Sequence, residues 1–141
     1  MKPTVSPMLT HAFYAFYDTH RPVYLAYAAS RLPPEEAHLA VARLFDLLAS
    51  NWSTVVKAPH PAAWAWKQHT HVVAQRSGHP STPADDVALL HEQLRLNIDQ
   101  IATATGTDTA TVISLLKATT RSRNRDPGNG RTTQRAAPTA R

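Results

Sequence analysis

Apolar residues recur at helical spacing along most of the chain, and no stretch alternates as a half-buried strand would. Residues 9–32 gather Phe13, Phe16, Tyr17, Val23, Tyr24 and Tyr27 on one side, with Pro22 inside the pattern. A proline there lacks a backbone donor, so a kink or break is expected near His20–Arg21. The stretch "PPEEAHLAVARLFDLLASNW" is the clearest helix. Its prolines fall at the start, Glu35 and Glu36 in the first turn, and Ala37, Ala40, Val41, Leu44, Phe45 and Leu48 form one stripe. A loop through "STVVKAPHP" follows, its β-leaning run too isolated to build a sheet. A third helix is expected from Pro61 to about Arg76, with Ala63, Trp66, Thr70 and Val73 inward. "SGHPSTP" reads as a short linker and "ADDVALLHEQLRL" as a fourth helix with Val87, Leu90 and Leu94 inward.

The last periodic stretch, "IDQIATATGTDTATVISLLKATTR" (Ile98 to Arg121), holds two short amphipathic segments meeting at Gly106. Ile98, Ile101, Ala102 and Thr105 share one face of the first segment; Val112, Leu115 and Leu116 share one face of the second. A glycine is suited to the left-handed turn that brings two helices together steeply, Ala102 is small where they approach, and Thr107 or Asp108 can cap the second helix. The pattern is that of a helix-turn-helix, with an ordinary helical hairpin as the plainer reading. Its outward positions are Thr109, Ala110, Ile113, Ser114 and Lys117. Hydroxyls reach base edges or phosphates and methyls touch thymine, but no arginine is present for a bidentate guanine contact. Ile113 needs an apolar cover.

The formal charge of +5 changes this picture once it is located. Residues 1–120 hold nine Lys/Arg and nine Asp/Glu, whereas six arginines (121, 123, 125, 131, 135 and 141) face one acid, Asp126, from there on. The excess therefore belongs to a tail. Residues 122–141 lack apolar periodicity and are expected to be disordered, an arm whose arginines, Arg121, Arg123 and Arg125 first, supply phosphate contacts beside the helix-turn-helix. A solubilising tail without a partner is the alternative.

Other constellations exclude more than they suggest. No cysteine occurs in the 141 residues, so disulfides and thiolate metal sites are absent. His69 and His71, two apart on a helix, point to opposite sides; they read as surface histidines, and no metal or other cofactor is expected. Trp66 belongs to the core stripe, while Trp64 beside it is a candidate for stacking on an unpaired base. Asp85 and Asp86 open a helix and need no catalytic role. With no nucleophile–base pair, phosphate-cradling glycine loop or paired carboxylates, neither an enzyme nor a small-molecule substrate is expected. No run is apolar enough for a signal peptide or a membrane span, so a cytoplasmic protein without membrane contact is the expectation.

The order of motifs resembles bacterial RNA polymerase sigma factors of the extracytoplasmic-function group. "FYDTHRPVYLAYAASRL" with "PEEAHLAVARLFDLLASNW" and "PAAWAWKQHTHVVAQR" is similar to the family's polymerase-binding, promoter-melting domain. "DDVALLHEQLRLNIDQIATATGTDTATVISLLKATTR" is similar to its promoter-reading domain. The resemblance implies an all-α chain of two small domains: a three-helix, sigma region 2-like unit over 9–77 and a three-helix, region 4-like helix-turn-helix over 83–121. A disordered basic tail over 122–141 completes it. The chain departs from the family where an acid and a glutamine–acid pair dock on the polymerase clamp: here stand Leu39, Ala42 and Arg43. Basic residues of the reading helix are replaced by Ile113, Leu115 and Ala118, and the interdomain linker, Ser77 to about Pro83, is short. These departures weaken charge-assisted docking. The expectation is a sigma-factor-like, DNA-binding transcriptional regulator that falls short of a competent initiation factor. Its expected partner is double-stranded DNA, with the polymerase core or another regulatory protein as further candidates. The alternative is a protein–protein interaction module that kept the fold, lost DNA and polymerase binding, and uses Leu39, Ala42, Arg43 and Ile113 as its partner surface.

Overall fold

The computed structural model describes residues 7–125. Seven helices and no strand occur among them: α1 (Pro7–Arg31), α2 (Pro34–Ser50), α3 (Trp52–Val55), α4 (Pro61–Ser77), α5 (Pro83–Glu92), α6 (Ile98–Thr105) and α7 (Thr109–Arg125). None is long and apolar enough to cross a membrane.

Helix α1 is a single helix across Pro22, so of the kink or break expected there the break does not occur. Pro22 and Asp18, whose carbonyl loses its i+4 donor, both lie on the exposed side, open to solvent rather than in the core. The opposite side continues inward through Tyr24, Tyr27 and Ala28, each buried. Burial on both sides of the proline thus outweighs one missing bond. Helix α2 buries the six residues of its expected stripe, and its Glu36 pairs with Arg76 of α4 at 2.8 Å. The short α3 occupies the run that leaned towards strand. Trp52 and Val55, three apart, turn inward together, and the Trp52 indole N–H donates to the Leu9 carbonyl at 2.9 Å.

In α4 the buried positions are Ala65, Trp66, His69 and Val73, a face rotated from the expected one. Ala63 and Thr70 are half-buried, His71 is exposed, and His69 is a core residue rather than a surface histidine. Its ring lies 4.8 Å from that of Tyr24 and stacks on it, and its Nε2 lies 2.8 Å from the Tyr24 carbonyl. Trp66 packs edge-on against Tyr27 at 4.9 Å.

Helices α1, α2 and α4 pack together, α5 lies along α7, and α6 bridges α7 to α4. One cluster of buried apolar side chains runs from Tyr24 and Leu44 through Val73 to Val87, Leu90, Ile101 and Val112. Across the 78–82 connection a second, polar joint forms. Tyr27 and Ser81 each donate a hydroxyl to Asp86 Oδ1 at 2.6 Å, Arg31 donates to the Tyr27 oxygen at 3.1 Å, and Arg31 also donates to the His79 carbonyl.

Candidate nucleic-acid interface

Helices α5, α6 and α7 each start at a capped turn. Thr82 caps α5 by accepting from the Asp85 N–H at 3.1 Å. Asn97 and Gln100 form a reciprocal capping box on α6, both bonds 2.8 Å. Asp108, not Thr107, caps α7, accepting from the Thr111 N–H at 2.8 Å. Between α5 and α6 the connection includes Arg95 in a left-handed conformation, φ 61°. Between α6 and α7 Gly106 takes φ 73°, and the N–H groups of Gly106 and Thr107 both donate to the Ala102 carbonyl.

Gly106 is required for a second reason that no local pattern announces. Its turn rests on the first turn of α4, where an added Cβ would lie 2.6 Å from the Ala62 carbonyl carbon and closer still to the Ala63 nitrogen. The α6–α7 turn is therefore braced against the rest of the molecule.

That brace leaves the outward side of α7 open. Val112 is buried and Leu115 and Leu116 half-buried, while Thr109, Ala110, Ile113, Ser114, Lys117 and Arg121 are all exposed along one face. Ile113 is 42% exposed. Arg123 and Arg125 stand in the last turn of the helix, and their side chains lie outside the described residues. The helix thus extends beyond Ser122, where disorder was expected to start, and residues 126–141 lie outside the described part.

Charge is polarised along this face. The Asp108 carboxylate stands at the leading end, its pKa held below the ordinary range by hydrogen bonds from the Thr111 hydroxyl and backbone. Lys117 and Arg121 follow two and three turns later. The other predicted residues lie elsewhere: Leu39, Ala42 and Arg43 are exposed on the outer face of α2, and Trp64 is half-buried against the core at the start of α4.

Three buried polar residues, Asp86, His69 and His20, escaped sequence reasoning. Asp86 is only 5% exposed, and burial raises its pKa against the pull of Ser81, Tyr27 and Arg31. Burial and the Asp86 contact together push the Tyr27 hydroxyl up to about 12. Burial lowers His69 to about 4. The available signal was position: Asp86 shares the inward face of Val87 and Leu90, and His69 stands between Trp66 and Val73 on theirs.

Comparison with family models, with curated proteins and with solved structures finds no match to this chain.

Proposed function

We propose that this protein is a sigma-factor-like, DNA-binding transcriptional regulator that reads duplex DNA with α7. One observation carries the reading: the predicted groove residues lie exposed on a single face of a helix supported from behind by α5, by α6 and, through Gly106, by α4. In this reading residues 9–77 correspond to a region 2-like unit and 83–121 to a region 4-like unit, with 122–141 as a basic arm. Thr109, Ala110 and Ser114 approach the base edges, Ile113 seeks a thymine methyl, and Lys117 and Arg121 hold phosphates, joined by Arg123 and Arg125. The sparse charge on α7 assigns orientation to the helix and attraction to the arm. Leu39, Ala42 and Arg43 replace the groups that would dock on the polymerase clamp, so the proposal is a regulator and not a complete initiation factor.

The test is duplex-DNA binding across a salt series, comparing the full chain with Lys117→Ala/Arg121→Ala and with a chain ending at Arg121. Loss of two phosphate contacts lowers the slope of log affinity against log salt by roughly 2. An unchanged slope in the double variant removes α7 from the interface.

The exposure of Leu39, at 51%, favours a second reading, a protein-interaction surface on α2. Leu39 stands beside exposed Ala42 and Arg43, at the positions that take the place of the family's clamp-docking groups.

A further inference from the structure

The half-exposed Ile113 sits in a shallow concavity of about 330 Å³, floored by Ile98, Ile113 and Leu116 and rimmed by Lys117, Thr120 and Arg121. Ile113, Leu116, Lys117 and Thr120 recur at i, i+3, i+4 and i+7, the spacing of a helix-packing seam. Neither Lys117 nor Arg121 makes an ion pair with another described residue. A helix with an exposed aliphatic residue and an acid one turn away would complete this seam.

We infer that the occupant is a second copy of this chain, which lays the outer face of its α2 antiparallel along α7. That face presents Glu35, Leu39 and Arg43 at four-residue intervals, all exposed. The outer face of α7 presents Thr109, Ile113 and Lys117 at the same intervals, with the Asp108 carboxylate beside Thr109. With Leu39 on Ile113, antiparallel alignment sets Glu35 against Lys117 and Arg43 beside Asp108. Parallel alignment would set Glu35 against Asp108 and Arg43 against Lys117, two like-charge contacts, so charge selects the direction. The chain's own ends are poorer occupants: residues 1–6 hold a lysine and no acid, and the arginine-rich tail would meet Lys117 and Arg121 with like charge.

Each copy carries one α2 face and one α7 face. Two copies related by a twofold axis make the contact twice and close as a dimer, whereas another rotation closes a larger ring or propagates an open chain. The contact covers Ile113 and Lys117, so it competes with DNA. It deepens the partner-surface reading and does not depend on the DNA reading, because self-association is measured without DNA.

The experiment is sedimentation velocity of the full-length chain up to roughly 0.1 mM, at low and high salt. Reversible, salt-sensitive association is expected. Leu39→Asp and Ile113→Asp, both at exposed positions, each weaken it by about tenfold or more, with far-UV circular dichroism unchanged. Lys117→Glu and Glu35→Lys each weaken it alone, and the double variant recovers it. An equimolar mixture of the Leu39→Asp and Ile113→Asp chains forms a one-to-one pair, since each retains one intact half of the contact. A monomer throughout the range overturns the inference. So does association indifferent to Leu39→Asp, which would place α7 against some other surface.

Discussion

A neutral imidazole is what the fold demands at position 69. His69 is fully buried, its Nδ1 has no partner, and its Nε2–H donates to the Tyr24 carbonyl, so protonation would place a charge in the core. With a pKa near 4 in the fold against about 6.5 when unfolded, the unfolded chain binds more protons through this window. Stability from His69 is complete above pH 6.5 and declines as pH falls towards 4, by on the order of 3 kcal/mol. His20, also lowered by burial, adds in the same direction. Asp86 opposes them: with its pKa raised, its contribution is greatest below the ordinary carboxylate range and is lost as pH rises through its folded value. Urea midpoints at pH 7 and pH 4.5 check the balance: the native chain is expected to lose stability at the lower pH, and His69→Leu to lose distinctly less. Asp86→Ala, which strands the hydroxyls of Tyr27 and Ser81, is expected to cost about 2–3 kcal/mol by the same measurement, and Asp86→Asn, which still accepts, about 1 kcal/mol. Neither role was legible in the sequence. A histidine or aspartate on an apolar face reads as polar until the partners that neutralise it arrive from another helix, here Tyr24 and Tyr27 of α1.

At the scale of the element, local chemistry announced most boundaries. Proline at the start of α2, α4 and α5 and the capping box on α6 are local instructions, readable without a neighbour. Gly106 was legible in part: its left-handed turn follows from residue type, but its close approach to Ala62 and Ala63 depends on where α4 lies. Gly106→Ala combines a strained φ, costing about 1–2 kcal/mol, with a backbone overlap, costing about 1–3 kcal/mol. The expected result is a fall in thermal midpoint well beyond that of Asn97→Ala, which removes one cap for about 1 kcal/mol. Equal effects would mean that the turn is not braced. Where reading by element went astray, tertiary burial had overridden propensity. The run around Trp52 and Val55 became a short helix because both side chains reach the core, and α1 stayed one helix across Pro22 because aromatic residues bury on either side of it.

At the scale of the whole molecule, neutrality of residues 1–120 beside a strongly basic end is a property of composition, and the DNA proposal turns on it. The full chain is expected to lose duplex affinity steeply with salt, and the chain ending at Arg121 to lose most of that dependence; equal slopes would move the attraction onto the folded body. The all-α architecture, the glycine at the centre of the last helical pair and the outward set from Thr109 to Lys117 were determined by the sequence itself. Helical periodicity, caps and turn residues act over a few positions, so the chain carries that information locally. Tertiary structure alone decided that one core joins α1 to α7 and that Asp86 and His69 lie inside it. The physical reason is that burial belongs to pairs of surfaces. A stripe shows that a helix has an inward side, but which polar group that side can tolerate, and which apolar one it leaves in water, depends on the facing helix.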